Sequence, residues 1–134
     1  MTRVTGWEKA LVSVIERHAA MPFAWGKSDC GMLAADCVEA VLGEDLFGRY
    51  RGYSTELGAA RKLKKGGFST VEDVFSSAFE EVAPSLAQRG DVGVIERDGK
   101  IGAGVITSFG FACRGETSVR YEPITAVKRA FKVR

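Results

Sequence analysis

The sequence predicts an α+β fold, and three observations carry that prediction. Apolar residues recur at spacings of three and four through the first part of the chain, up to about Glu81. From Val92 onward they gather in short, strand-like runs instead. Between two of those runs lies Asp98-Gly99, the pair preferred in a two-residue hairpin turn. Helices first and an antiparallel sheet after is the α+β arrangement. With no internal repeat, low-complexity segment or linker, residues 1–134 are expected to form one domain.

Each element has its own local cause. The first helix is expected from about Gly6 to Ala19, where Trp7, Ala10, Leu11, Val14 and Ile15 form one apolar stripe. Met21-Pro22 ends it, because the residue before proline avoids helical geometry. A short loop, Phe23 to Ser28, leads to a second helix opening at Asp29-Cys30. Asp29 or Ser28 can cap that helix, since a short side-chain oxygen accepts the free amides of the first turn. Cys30, Leu33, Ala34, Cys37, Val38 and Val41 share its apolar face, and Gly43 is a natural stop. A third helix opens at Ser54 or Thr55 and runs through Lys65, with Gly66-Gly67 ending it. Ser69 and Glu72 have capping-box spacing and predict a fourth helix to about Glu81, with Val71, Val74, Phe75, Ala78 and Phe79 inward. Val92–Glu96 and Ile101–Thr107 read as hairpin strands, and Phe109–Arg114, Ser118–Tyr121 and Val127–Val133 as further strands.

Composition narrows the function classes. With 19 basic and 17 acidic residues the net charge is +2, too balanced to predict a nucleic-acid or acidic membrane partner. The run Arg61-Lys62-Leu63-Lys64-Lys65 reads as the solvated face of a helix. No stretch is long and apolar enough to span a bilayer, and the N-terminus lacks the apolar region of a secretory signal. Cys30, Cys37 and Cys113 are an odd number without regular spacing, which argues against a disulfide framework and fits synthesis in the cytoplasm. One histidine and no CxxC pair cannot supply a zinc site, and no cofactor is expected.

The chemistry concentrates in Pro22–Asp36, PFAWGKSDCGMLAAD. A cysteine in the first turn of a helix sits at the positive end of the helix dipole, which predicts a lowered thiol pKa and a nucleophilic thiolate. The loop before it is aromatic and contains Gly26, features that can wall a cleft. A second reading makes Cys30 a core residue, because its helical face also carries Leu33, Ala34 and Cys37. Cys37 and Cys113 read as small buried hydrophobes.

The pattern Phe23-x-Trp25-Gly26-x-x-Asp29-Cys30-Gly31 resembles the nucleophile motif of NlpC/P60-type proteins, the papain-like cysteine peptidases of bacterial cell walls and phage tails. Arg89-Gly90-Asp91-Val92-Gly93-Val94 resembles the Gly-Asp pair that opens the first core strand of that fold. Tyr53-Ser54-Thr55 and the C-terminal Ala130-Phe131-Lys132-Val133 are similar to segments of small phage and prophage relatives. The resemblance implies a papain-like α+β fold, N-terminal helices on an antiparallel sheet, with Cys30 as nucleophile. It implies a cleft involving Trp25, Gly26, Asp29, Asp91 and Gly102. It also implies a substrate, the peptide bonds of peptidoglycan stem peptides, and a place in a phage or prophage tail beside hub or distal-tail proteins.

One departure bears on activity. The family's catalytic histidine falls at Gly102, and no histidine follows His18. A cysteine peptidase needs a base for the thiol and an acid for the leaving amine. His18 is the possible substitute base, although the end of a helix is also a purely structural place for a histidine. Asp91, Glu96 and Asp98 are poor proton donors near neutral pH. Two expectations follow: a tail-associated cell-wall peptidase working through Cys30, or a catalytically inactive structural or adaptor part of a tail tip.

Overall fold

The computed structural model describes residues 1–134. Four helices precede the sheet: α1 (Trp7–Ala19), α2 (Cys30–Leu42), α3 (Glu56–Lys65) and α4 (Val71–Ala78). The strands are β1 (Glu81–Val82), β2 (Val92–Arg97), β3 (Lys100–Thr107), β4 (Gly110–Arg114), β5 (Val119–Glu122) and β6 (Arg129–Phe131). They form one sheet in the order β1-β6-β2-β3-β4-β5, antiparallel throughout.

The sheet's construction follows from side-chain alternation. Along β2 and β3, Val92, Val94, Ala103 and Val105 point to one face, where Leu33, Val38 and Val41 of α2 meet them in the main core. Ile95 and Ile106 point the other way and join Phe111, Cys113, Val127 and Ala130 in a smaller cluster. A period of two thus divides each strand between two apolar layers. The β2–β3 hairpin closes through Asp98 (φ 53) and Gly99 (φ 76), the two left-handed positions that an Asp-Gly turn supplies.

The caps fix where helices begin. Asp29 accepts from Met32 N at 2.9 Å, and Gly43 (φ 78) ends α2. Thr55 opens α3, accepting from Gly58 N at 3.0 Å. At α4 the cap is Thr70, which accepts from Asp73 N at 3.2 Å, so the Ser69–Glu72 capping box is not formed. That helix also stops at Ala78 rather than near Glu81, because Glu81 and Val82 leave to pair with Phe131 and Ala130 as a sheet edge. The last strand is correspondingly shorter than Val127–Val133: Ile124–Ala126 form a single helical turn and pairing ends at Phe131.

The chain ends are held by Asp91, which is fully buried. Its carboxylate accepts from Arg3 Nη2 at 3.0 Å, Val133 N at 3.0 Å, Gln88 N at 2.8 Å and Arg134 Nη2 at 3.1 Å. Asp91 therefore joins the two ends of the domain to the start of β2 and does not line the cleft expected of it. No helix is long and apolar enough to cross a membrane.

Candidate functional site

Cys30 is the first residue of α2, partly buried, and it borders two cavities. The first, about 330 Å³, runs between α2, α3 and α4 and is walled by Trp25, Met32, Phe47, Tyr50, Tyr53, Leu63, Val71, Val74 and Phe75. The second, about 220 Å³, lies over the β2–β3 hairpin and β4 and is lined by Phe23, Arg97, Lys100, Gly102, Ala103, Cys113 and Arg114. Cys30 and Ile101 border both. Phe23 and Trp25, in the loop before α2, stack edge-to-face with centroids 4.9 Å apart, so one aromatic pair reaches both sides of the sulfur.

Asp29 organises this loop. Besides capping α2, its carboxylate accepts from Gly26 N at 2.6 Å and from the Tyr53 hydroxyl at 2.7 Å. Three hydrogen bonds leave the side chain as a brace rather than a free base. Burial, with the neighbouring Asp29 charge, pushes the Tyr53 phenol well above its ordinary pKa, so Tyr53 stays a donor. Gly26 (φ 80) lies against Tyr53, and a Cβ there would come 1.9 Å from the Tyr53 carbonyl oxygen. Gly26 is thus a packing requirement and lines neither cavity, unlike Trp25, Asp29 and Gly102. The role of Tyr53 has no local signal in the sequence: nothing near it points to Asp29, 24 positions away.

The thiol does not behave as its helix position alone predicts. Burial pushes the Cys30 pKa up, and the Asp29 charge adds to this. The backbone amides of Ala103, Gly31 and Cys30 itself pull the other way without reversing the result. The expected lowering is therefore corrected to a raised pKa, because desolvation outweighs the helix-start amides. Cys37 and Cys113 are buried as expected, and burial raises both thiols too, Cys37 beyond the range of any physiological titration.

His18 lies elsewhere. It is completely buried at the end of α1, with Nε2 donating to Asp36 Oδ2 at 2.7 Å, and it lines neither cavity. Asp36 also receives Arg51 at 2.8 Å and Arg17 at 3.4 Å. Burial alone would raise the Asp36 carboxyl, but the hydrogen bonds from His18 and Arg51 prevail and hold it below the usual range. From Cys30 to Asp36 is six residues of α2, about 9 Å along the axis and roughly 120° around it. His18 is therefore structural and does not serve as a base for Cys30. No group of three or more His, Cys, Asp or Glu side chains is placed to hold a metal ion.

Fold and site together define a class: an α+β domain whose helix-start cysteine stands between two cavities, without a histidine beside it. The chain matches one protein family over residues 2–133, described as "Domain of unknown function (DUF6950)", and it belongs to that family. Neither a curated protein nor a solved structure matches it.

Proposed function

We propose that this protein is a non-hydrolytic NlpC/P60-type domain of a phage or prophage tail, made in the bacterial cytoplasm and built into the particle. Its cleft over Cys30 holds ligand without cutting it. The observation that carries this reading is the lack of a histidine at either cavity: the resemblance puts the family's histidine at Gly102, which lines the second cavity, and the chain's one histidine is sealed against Asp36. With its pKa raised, the thiol is protonated at neutral pH, and the one carboxylate at its cavities, Asp29, is taken up by three hydrogen bonds. In this reading the domain binds peptidoglycan stem peptides or serves as an adaptor to a tail hub or distal-tail protein.

The test is incubation with purified sacculi, comparing wild type with Cys30→Ala. New amino groups should not rise above background with either protein. Release that depends on Cys30 overturns the proposal in favour of a second reading, an active peptidoglycan endopeptidase. That reading is favoured by the position of Cys30, first in α2 and open to two cavities. The adaptor role predicts a stable complex when the domain is co-expressed with the hub or distal-tail protein of its own tail. Separate elution on gel filtration counts against it.

A further inference from the structure

The two cavities beside Cys30 have opposite chemistry, and the contrast identifies a ligand class. The larger one is walled almost entirely by aromatic and aliphatic side chains, and at about 330 Å³ it reaches the size of small-molecule and side-chain anchor sites. Stem peptides, built from small and charged residues, have nothing to fill it. The smaller cavity gathers three cations, Arg97, Lys100 and Arg114, and no carboxylate lines it.

Their charges are unequally compensated. Arg97 is paired with Glu122 at 2.8 Å. Lys100 makes no ion pair. Arg114 is only 8% exposed, yet it donates solely to carbonyl oxygens, those of His18, Met21 and Gly115. The His18 and Met21 carbonyls lie at the carboxyl end of α1, whose dipole favours a cation, and burial lowers the Arg114 pKa with no acid to oppose the shift. With no carboxylate lining it and Lys100 unpaired, this cavity carries net positive charge, which favours an anion.

We infer that the two cavities form one site for an amphiphilic anionic ligand, its bulky apolar group in the larger cavity and its carboxylate facing Arg114 and Lys100, with the ligand crossing over Cys30. This rests on the ligand-holding cleft proposed above, takes its adaptor arm over its stem-peptide arm, and does not depend on whether Cys30 cleaves anything. Two sources have this chemistry: a free acyl carboxylate, or a peptide segment with a bulky apolar residue followed by an acidic one.

The experiment titrates the intact protein with decanoate, decanol and decyltrimethylammonium, and with the capped peptides acetyl-Phe-Gly-Glu-amide and acetyl-Phe-Gly-Lys-amide. It follows intrinsic fluorescence, from Trp7 and Trp25 together, and the rate of Cys30 alkylation by iodoacetamide, the latter alone for the variant that adds a tryptophan. Decanoate or the Glu peptide should bind saturably and protect Cys30, and the neutral and cationic partners should bind at least about tenfold more weakly. Decanoate alone assigns an acyl chain, the Glu peptide alone a protein segment, and either result supports the site. Lys100→Glu, at an exposed position, should weaken the anionic probe about tenfold. Ala59→Trp, which fills the apolar cavity from α3, should abolish binding. A circular-dichroism melt confirms that each variant is folded. Failure of both anionic probes, equal binding of all charge types, or unchanged affinity in the two folded variants overturns the inference. The sacculus assay is separate, so hydrolysis and ligand choice fail independently.

Discussion

The molecule contains a helix-start thiol and a histidine–carboxylate pair, in two regions that do not meet. One is Cys30, a thiol at a helix start between two cavities. The other is His18–Asp36, a histidine–carboxylate pair at 2.7 Å, further stiffened by Arg51. In a working apparatus the second ring nitrogen faces the nucleophile. Here His18 Nδ1 is buried and has no hydrogen-bond partner. The difference between the regions is one of burial and direction. The same pair that would orient a catalytic base instead pins the end of α1 to the second turn of α2, and the thiol is left with backbone amides and desolvation. A residue inventory alone therefore says little about catalysis; which helix face each group occupies decides it.

The largest effect should come from the sealed region. His18→Ala deletes a fully buried ring and leaves Asp36 short of a donor, which should cost about 3 kcal/mol. For a domain of this size that lowers Tm by roughly 10 °C. Urea denaturation measures it, and a change under about 0.5 kcal/mol contradicts a structural His18. The pH dependence has a definite sign. The Asp36 carboxyl is held lower in the folded state than in the unfolded chain, so its contribution is complete above the unfolded value, about pH 4, and is lost as pH falls through the folded one. Acid unfolding should thus begin below about pH 4, and His18→Ala should shrink the share due to Asp36.

On the cleft side the largest loss should follow Asp29→Ala, which removes the acceptor for Met32 N, Gly26 N and the Tyr53 hydroxyl. About 2–3 kcal/mol is expected, a helix cap plus buried donors left unmet. Because the loop it braces carries Trp25, the fluorescence of the folded variant should also change. Asp29→Asn keeps one acceptor oxygen and should recover about half the loss. If Asp29→Ala changes neither stability nor fluorescence, the brace is not what shapes the cleft.

These losses separate what is legible in the sequence from what is hidden there. The starts and stops of α1, α2 and α3 are readable because caps and apolar stripes are local: Asp29, Gly43 and Thr55 act on residues within one turn. The hairpin is readable for the same reason. The end of α4 is not, since Glu81 and Val82 are claimed by β6, about fifty residues on. Asp91, beside Gly90, suggests a cleft residue, but its partners are Arg3 and Arg134 at the opposite ends of the chain. The place of Cys30 at a helix start is visible in the sequence. The sign of its pKa shift is not, because the burial that sets it comes from elements distant in sequence. Arg114 and Lys100 carry no local signal either, for a cation's lack of an acid partner exists only in the folded arrangement.

Cys30→Ala should cost about 1 kcal/mol, because the residue is only partly buried and the change removes a single sulfur atom. In the wild type, the pH profile of alkylation should have its midpoint above about 8.5, the value of a free thiol, because burial favours the neutral form. A midpoint below that value restores an activated nucleophile and reopens the peptidase reading.

The smallest stability change and the sharpest test of the comparison is Gly102→His. Gly102 pairs with Ile95 in the β2–β3 ladder, has no left-handed φ, and borders the cavity that Cys30 also borders. A Cβ there meets only Ile95 Cγ1 at 3.8 Å, an ordinary contact, so the substitution should be tolerated within about 0.5 kcal/mol. It places an imidazole in a cavity that Cys30 also borders, whereas His18 borders neither cavity. A nearby imidazolium stabilises the thiolate, and a shift of one pKa unit changes the thiolate fraction about tenfold. Alkylation of Cys30 at pH 7 should therefore accelerate by about that factor, with a new inflection near the imidazole range. If Gly102→His folds and the alkylation profile does not move, the cavity does not join residue 102 to the sulfur. The raised pKa of the thiol would then reflect the geometry of the cleft rather than one missing side chain.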